Sequence, residues 1–127
     1  MRDLAYQAFR AGLGFADAMD VGRLPGTWLS ERAPADLRDG AAIARYGALV
    51  GGRLAGWFEG AGPSEYGRAI DTDEGPRSGH ELLERLTERV ALRVRQLHAL
   101  AVATGVARPD GLPADELEGL RLPKSLW

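Results

Sequence analysis

The stretch at residues 78–105 reads SGHELLERLTERVALRVRQLHALAVATG and carries the clearest structural signal in the chain. Ser78 followed three positions later by Glu81 is a capping-box pattern, and Gly105 is a suitable C-terminal stop. Between them, apolar residues recur with nearly heptad spacing: Leu83, Leu86, Val90, Val94, Leu97 and Ala101. The pattern predicts a central helix over 79–104, about 39 Å long, with this apolar stripe as the core.

Two further helices are predicted, over 3–20 and 41–59. Apolar residues recur at helical spacing in both, and these are Leu4, Ala8, Ala11, Phe15 and Met19 in the first and Ile43, Val50, Leu54 and Trp57 in the second. Short helices are predicted at 35–39 and 113–120. Strand formers are scarce and no segment alternates for long between apolar and polar residues. The sequence therefore predicts an all-α fold, a compact bundle of three main helices plus two or three short helices.

The remaining segments are connections. Residues 61–79 are punctuated by glycine and proline, which favours a mobile loop with at most a short helical turn. The C-terminal tail, residues 106–127, ends in apolar residues that either fold back onto the core or insert into a partner. At 127 residues, the expected organisation is a single helical domain over 1–127.

Composition limits the possible functions. The chain has no cysteine, a formal charge of −2 and an apolar share of 45%. These values exclude disulfides and thiolate chemistry, argue against independent nucleic-acid binding, and favour a cytoplasmic location. The longest apolar-looking stretch contains Arg45 and Arg53, so membrane insertion is not expected. No metal site and no cofactor site is predicted.

The helix over 41–59 carries small residues four positions apart, which permit close approach of another helix. They are Ala44, Ala48, Gly52, Gly56 and Gly60. Three interpretations are open: packing inside the domain, which we favour, packing against another subunit, or glycines that break the helix. Gly52, Gly56, Leu126 and Trp127 are therefore the candidate partner contacts.

Three arginines on the long helix fall four residues apart, at Arg85, Arg89 and Arg93. Such a stripe is a weak candidate for nucleic-acid contact. Neighbouring glutamates partly neutralise it, which is also typical of the ordinary charged exterior of an amphipathic helix.

On the same helix, Arg93 is separated from His98 by four residues in the sequence RVRQLH. This spacing resembles the R-x4-6-H signature of the HEPN family of small helical domains, which include many ribonucleases. The resemblance implies that Arg93 and His98 converge at a dimer cleft and act on an RNA backbone. It covers six residues, and Val94 stands where the family usually has a polar residue.

Catalytic residue types are sparse, with two histidines and no cysteine. The sequence therefore favours a non-catalytic assembly or adaptor subunit that binds another protein chain or a second copy of itself. Small helical subunits of prokaryotic nucleoprotein assemblies have this general composition, and nucleic acid is a possible further component. The alternative is a HEPN-like ribonuclease that uses Arg93 and His98.

Overall fold

The computed structural model describes residues 1–127 and contains the three main helices that the sequence predicts. Helices of all types hold 62% of the residues. The α-helices are α1 (Arg2–Val21), α2 (Gly40–Gly60) and α3 (Gly79–Ala103), and short 3-10 helices lie at Gly26–Leu29, Pro63–Gly67 and Ala114–Leu117. None of the three α-helices has both the length and the apolar character that crossing a membrane requires.

The prediction of an all-α fold is wrong, because the chain also forms a small mixed sheet. Its strands are β1 (Arg23–Leu24), β2 (Ala69–Thr72) and β3 (Gly75–Ser78), in the order β1-β2-β3. β1 pairs with β2 in parallel, and β2 pairs with β3 as an antiparallel hairpin. Strands of two and four residues are too short to produce the alternating pattern by which strands are recognised in a sequence.

The prediction of a loop over 61–79 is therefore wrong for most of this segment. Ile70 is fully buried at the centre of the sheet, with no exposed surface. The hairpin turns at Gly75, whose φ of 98° falls in the left-handed region that favours glycine. The Thr72 hydroxyl donates to the Gly75 carbonyl at 2.6 Å and stabilises the turn. The glycines and prolines of this segment mark turns within ordered structure.

The start and the end of α3 confirm the capping pattern. The Glu81 N–H donates to Ser78 Oγ at 3.1 Å, and the Ser78 hydroxyl donates to the Glu81 carboxylate at 3.2 Å. Gly105, with a φ of 76°, lies two residues beyond the end of the helix. Local signals therefore set both ends of this helix.

The main core differs from the predicted stripe. The helix that packs against both other α-helices is α1, so α3 is not the centre of the bundle. On α3 the buried leucines are Leu82 and Leu86, while Val90 and Val94 are only half-buried. The same is true of Leu83 and Leu97. The core cluster consists of Phe15, Ala18, Met19, Leu24, Ile70, Leu82 and Leu86. The buried face of α3 is turned toward Leu82 because the sheet supplies Ile70 as its partner.

A polar cluster holds the segment after β1 against α1. Arg10 is buried, with 7% of its surface exposed. Its Nε donates to the Glu31 carboxylate at 3.1 Å, the Tyr6 hydroxyl donates to the same carboxylate at 3.2 Å, and the guanidinium lies 5.3 Å from the centroid of Trp28. The short helix predicted at 35–39 is not formed, and this part of the chain is a turn and irregular backbone.

Candidate functional site

The most distinctive surface is the exposed side of α2, opposite its buried residues. The helix starts at an Asp39 cap, whose Oδ1 accepts from the Ala42 N–H at 2.8 Å, and it continues without interruption to Gly60. Ile43 and Val50 are buried on its inner side. The small residues on its outer side are all exposed, namely Ala44, Ala48, Gly52, Gly56 and Gly60. The glycines thus do not break the helix, and packing inside the domain, the interpretation favoured from the sequence, does not occur.

We call this surface the α2 outer face, and its centre is Gly52. A Cβ built at Gly52 or at Gly56 would have no atom within 4 Å. Leu49, at the edge of the face, is 75% exposed. Arg45 and Glu59 lie seven residues on either side of Gly52, close to two full turns, so both are on the same side of the helix as Gly52. The face is therefore a smooth strip of small residues with one charge near each end.

The two charges of this strip are unpaired. Neither Arg45 nor Glu59 forms an ion pair within the chain, and both are exposed. Counted outward from Gly52, Ala48 corresponds to Gly56 and Arg45 corresponds to Glu59. A two-fold rotation about an axis through Gly52, perpendicular to the helix, therefore places small residues on small residues and each charge on the opposite charge.

The C-terminal tail folds back along α3. The Arg95 guanidinium donates to the Pro123 carbonyl at 3.0 Å, and the Gln96 amide donates to the Leu126 carbonyl. Leu126 is half-buried, whereas Trp127 is 74% exposed. Of the two predicted tail contacts, the structure leaves only Trp127 free for another molecule.

The three arginines of the predicted basic stripe are each bonded within the chain. Arg85 pairs with Glu74 at 3.1 Å, and Arg89 donates to the Leu29 carbonyl at 3.2 Å. Arg93 donates to Gln96 Oε1 at 2.9 Å. Burial lowers the pKa of Arg89, and the neighbouring charge of Arg93 lowers it further. A phosphate backbone would have to displace these partners.

Two of these arginines share a cavity. Arg85 and Arg89 line a pocket of about 250 Å³ between the β2–β3 turn and α3, and Asp73 and Glu74 line it with them. The formal charges of the two guanidiniums and the two carboxylates cancel. Arg93 lies outside this pocket, so the structure does not bring the three arginines together as one site.

Arg93 and His98 are not brought together. Residues five apart on an α-helix point about 140° away from each other. Arg93 is bonded to Gln96, and His98 Nε2 forms a hydrogen bond with the Arg108 carbonyl at 2.9 Å. Within one chain, the pair therefore does not form a common cleft. The ribonuclease alternative gains no support from this geometry and stays a prediction.

A second charged network follows α1, and no pattern in the sequence predicts it. Arg10 Nη1 lies 3.7 Å from the Asp17 carboxylate, and Arg53 of α2 lies 3.5 Å from the same group. Arg53 also pairs with Asp20, and this hydrogen bond raises the pKa of Arg53. The partners come from different elements, so no spacing in the sequence reveals them. No three His, Asp or Glu side chains lie close enough together to hold a metal ion.

The chain was compared with protein-family models, with curated proteins and with solved structures, and none of them matches it. Its function is therefore inferred from the contacts, burial and charges of its own residues.

Proposed function

We propose that the chain is a non-catalytic assembly subunit that binds another protein chain through the α2 outer face. The observation that carries this proposal is that a 21-residue helix exposes five small residues at four-residue spacing, with no element of the chain covering them. A glycine in an exposed helix interior costs about 1 kcal/mol relative to alanine. Glycine at Gly52 and Gly56 therefore lowers the stability of the isolated chain, and close approach of another helix offsets that cost.

The partner in this proposal is a second copy of the chain, with the two α2 helices antiparallel. A two-fold axis at Gly52 places Ala48 against Gly56 and Arg45 against Glu59, and it does so twice. Two-fold interfaces use the same patch on both subunits, so a patch must complement itself. The reversal of charge about Gly52 supplies that complementarity, and the small residues allow the helix axes to approach closely.

We place this assembly in the cytoplasm, and the absence of cysteine supports that location. Nucleic acid enters the proposal only as a further component. Arg85, Arg89 and Arg93 would be its contacts, at the expense of the internal hydrogen bonds that they now make.

The first experiment measures the mass of the full chain in solution as a function of concentration, by sedimentation equilibrium. We expect a monomer–dimer equilibrium for the wild type and a monomer for Gly52→Glu. The matched control is Gly51→Glu, because Gly51 is also exposed with open space around its Cβ but points about 100° away from Gly52. A wild type that stays monomeric, or two variants with equal effects, would contradict the antiparallel dimer.

A charge-reversal cycle tests the register of the proposed dimer. Arg45→Glu and Glu59→Arg should each weaken dimerisation by about 3- to 30-fold, since each removes two exposed ion pairs worth up to about 1 kcal/mol each. The double variant should recover most of the loss, because its charges again oppose each other. Additive losses in the double variant would rule out this register.

A different protein partner is the other outcome to distinguish. The tagged chain is purified from its native host, with and without nuclease treatment, alongside Gly52→Glu and Gly51→Glu. Two results together would identify a different protein as the occupant of the α2 outer face. A stoichiometric partner would be lost only in Gly52→Glu, and the purified chain would be monomeric. Loss of the partner after nuclease treatment would place nucleic acid in the complex.

A further inference from the structure

An apolar cavity of about 400 Å³ lies between the three α-helices and the C-terminal tail. Eleven of its fourteen lining residues are hydrophobic. They include Phe15 of α1, Leu54 of α2, Val90 and Val94 of α3, and Leu117 of the tail. Val90 and Val94, which the sequence assigns to the core, therefore face this cavity.

Three walls of the cavity are fixed by the core. Phe15 is buried within the main hydrophobic cluster, and Leu86, which belongs to the same cluster, also lines the cavity. Leu54 packs against that cluster from α2. These three walls belong to α1, α3 and α2, respectively.

The fourth wall is a strap formed by residues 112–120 of the tail. The chain is attached to α3 before the strap, where His98 Nε2 bonds to the Arg108 carbonyl at 2.9 Å. It is attached again after the strap, where Arg121 Nε lies 3.3 Å from the Glu88 carboxylate. Between these attachments, Leu117 and Leu120 line the cavity and leave its volume open. The strap forms one side of the cavity without filling it, and the cavity stays open to solvent.

The polar groups of the lining define the kind of ligand. The Thr87 hydroxyl donates to the Leu83 carbonyl at 2.7 Å, so its hydrogen is already used within the helix. Glu116 is the only charged lining residue, and it is exposed. An anionic ligand would lose hydration there without gaining a counterion in the wall, and the single exposed Glu116 carboxylate offers a cation only a solvent-screened partner. An uncharged apolar molecule loses nothing of this kind.

We propose that this cavity binds an uncharged apolar small molecule, such as a medium-length aliphatic chain or a compound of one or two aromatic rings, with residues 112–120 forming one side of the site. The volume lies within the range of small-molecule pockets, which are lined mainly by hydrophobic and aromatic side chains as this one is. The site is separate from the α2 outer face and does not depend on the assembly proposed above.

The test titrates the full chain with N-phenyl-1-naphthylamine, an uncharged apolar fluorophore whose emission rises in apolar surroundings. We expect saturable binding at one site, displacement by 1-octanol, and at least tenfold weaker displacement by octanoate. Val90→Trp should weaken binding at least tenfold by filling the cavity. Val106→Trp, at a position 82% exposed beyond α3, should bind within twofold of the wild type. Gly52→Glu should also bind as the wild type does, because its side chain is on the α2 outer face.

Methyl NMR locates the probe. Addition of 1-octanol should shift the methyl signals of Leu54, Val94 and Leu117 and leave those of Leu49 and Val106 unchanged. If Val90→Trp does not fold, Leu120→Trp on the strap takes its place with the same expected loss. Absence of saturable binding, or equal loss in Val106→Trp, would overturn the proposal.

Discussion

Gly79 is a position where a single added methyl group should collide with backbone. It is the first residue of α3 and is buried, and its N–H donates to the Arg68 carbonyl at 3.0 Å. A Cβ at this position would lie 2.7 Å from the Glu65 carbonyl oxygen and 2.8 Å from Met19 Cε. Met19 could adjust its flexible end, but the Glu65 oxygen is backbone. Gly79→Ala must therefore separate α3 from the 3-10 helix at Pro63–Gly67.

The expected cost follows from this clash. Overpacking of a close-packed site destabilises by about 1–3 kcal/mol. For a domain of this size, that corresponds to a fall in Tm of about 3–12 °C. Gly51→Ala is the matched control, since a Cβ at Gly51 meets nothing within 4 Å. There the gain in helix propensity should raise the free energy of unfolding by about 0.5–1 kcal/mol.

Urea denaturation, followed by circular dichroism at 222 nm, measures both variants against the wild type. The two substitutions are chemically identical, so they should move the midpoint in opposite directions. A Gly79→Ala variant as stable as the wild type would refute the close contact between α3 and the Glu65 backbone. A loss of stability in Gly51→Ala would refute the open surroundings of that position.

Three further predictions concern polar groups. Tyr46→Phe should raise the free energy of unfolding by about 1 kcal/mol in urea denaturation, because the Tyr46 hydroxyl is buried without a hydrogen-bond partner. Burial raises the pKa of both Tyr6 and Tyr46 in the folded chain. Above pH 10 the unfolded chain therefore loses these protons before the folded chain does, and the free energy of unfolding should fall as the pH rises. The fall should be smaller in Tyr46→Phe. Ser78→Ala should lower the free energy of unfolding by about 1 kcal/mol through loss of the α3 cap, whereas exposed Ser64→Ala should change it little.

The parts of the fold that the sequence predicts are those with long periodic patterns. All three main helices have apolar repeats of four or more turns, and the ends of α3 are marked by Ser78 and Gly105. The sheet escapes prediction because β1 has two residues and its partner Asp71 lies far along the chain. The sequence assigns the wrong buried face to α3 for the same reason. Ile70 of the sheet packs in the core cluster with Leu82, and Val90 is not part of that cluster.

The residues of the α2 outer face could be predicted from the sequence, but their exposure could not. The spacing of Gly52 and Gly56 is visible in the sequence, and so are the charges of Arg45 and Glu59. Whether such a strip is covered depends on how α1 and α3 pack, which no local pattern states. The cavity behind Val90 is harder still to foresee, because it depends on where the tail crosses α3.

The parallel pairing of β1 with β2 has a consequence for the order of folding. Arg23 and Asp71 meet only after about 48 residues have been closed into a loop, at a chain-entropy cost of about 3.4 kcal/mol. The pairing of β1 with β2 is only two residues long, so its hydrogen bonds offset little of this entropy cost. The sheet should therefore form late, after α1 and α3 have docked. Because the closure cost grows only with the logarithm of loop length, insertions in the irregular connections before and after α2 should cost little stability. Helix α2 itself is held in place by its packing against α1, so insertions are tolerated in the connections that flank it and not within the helix.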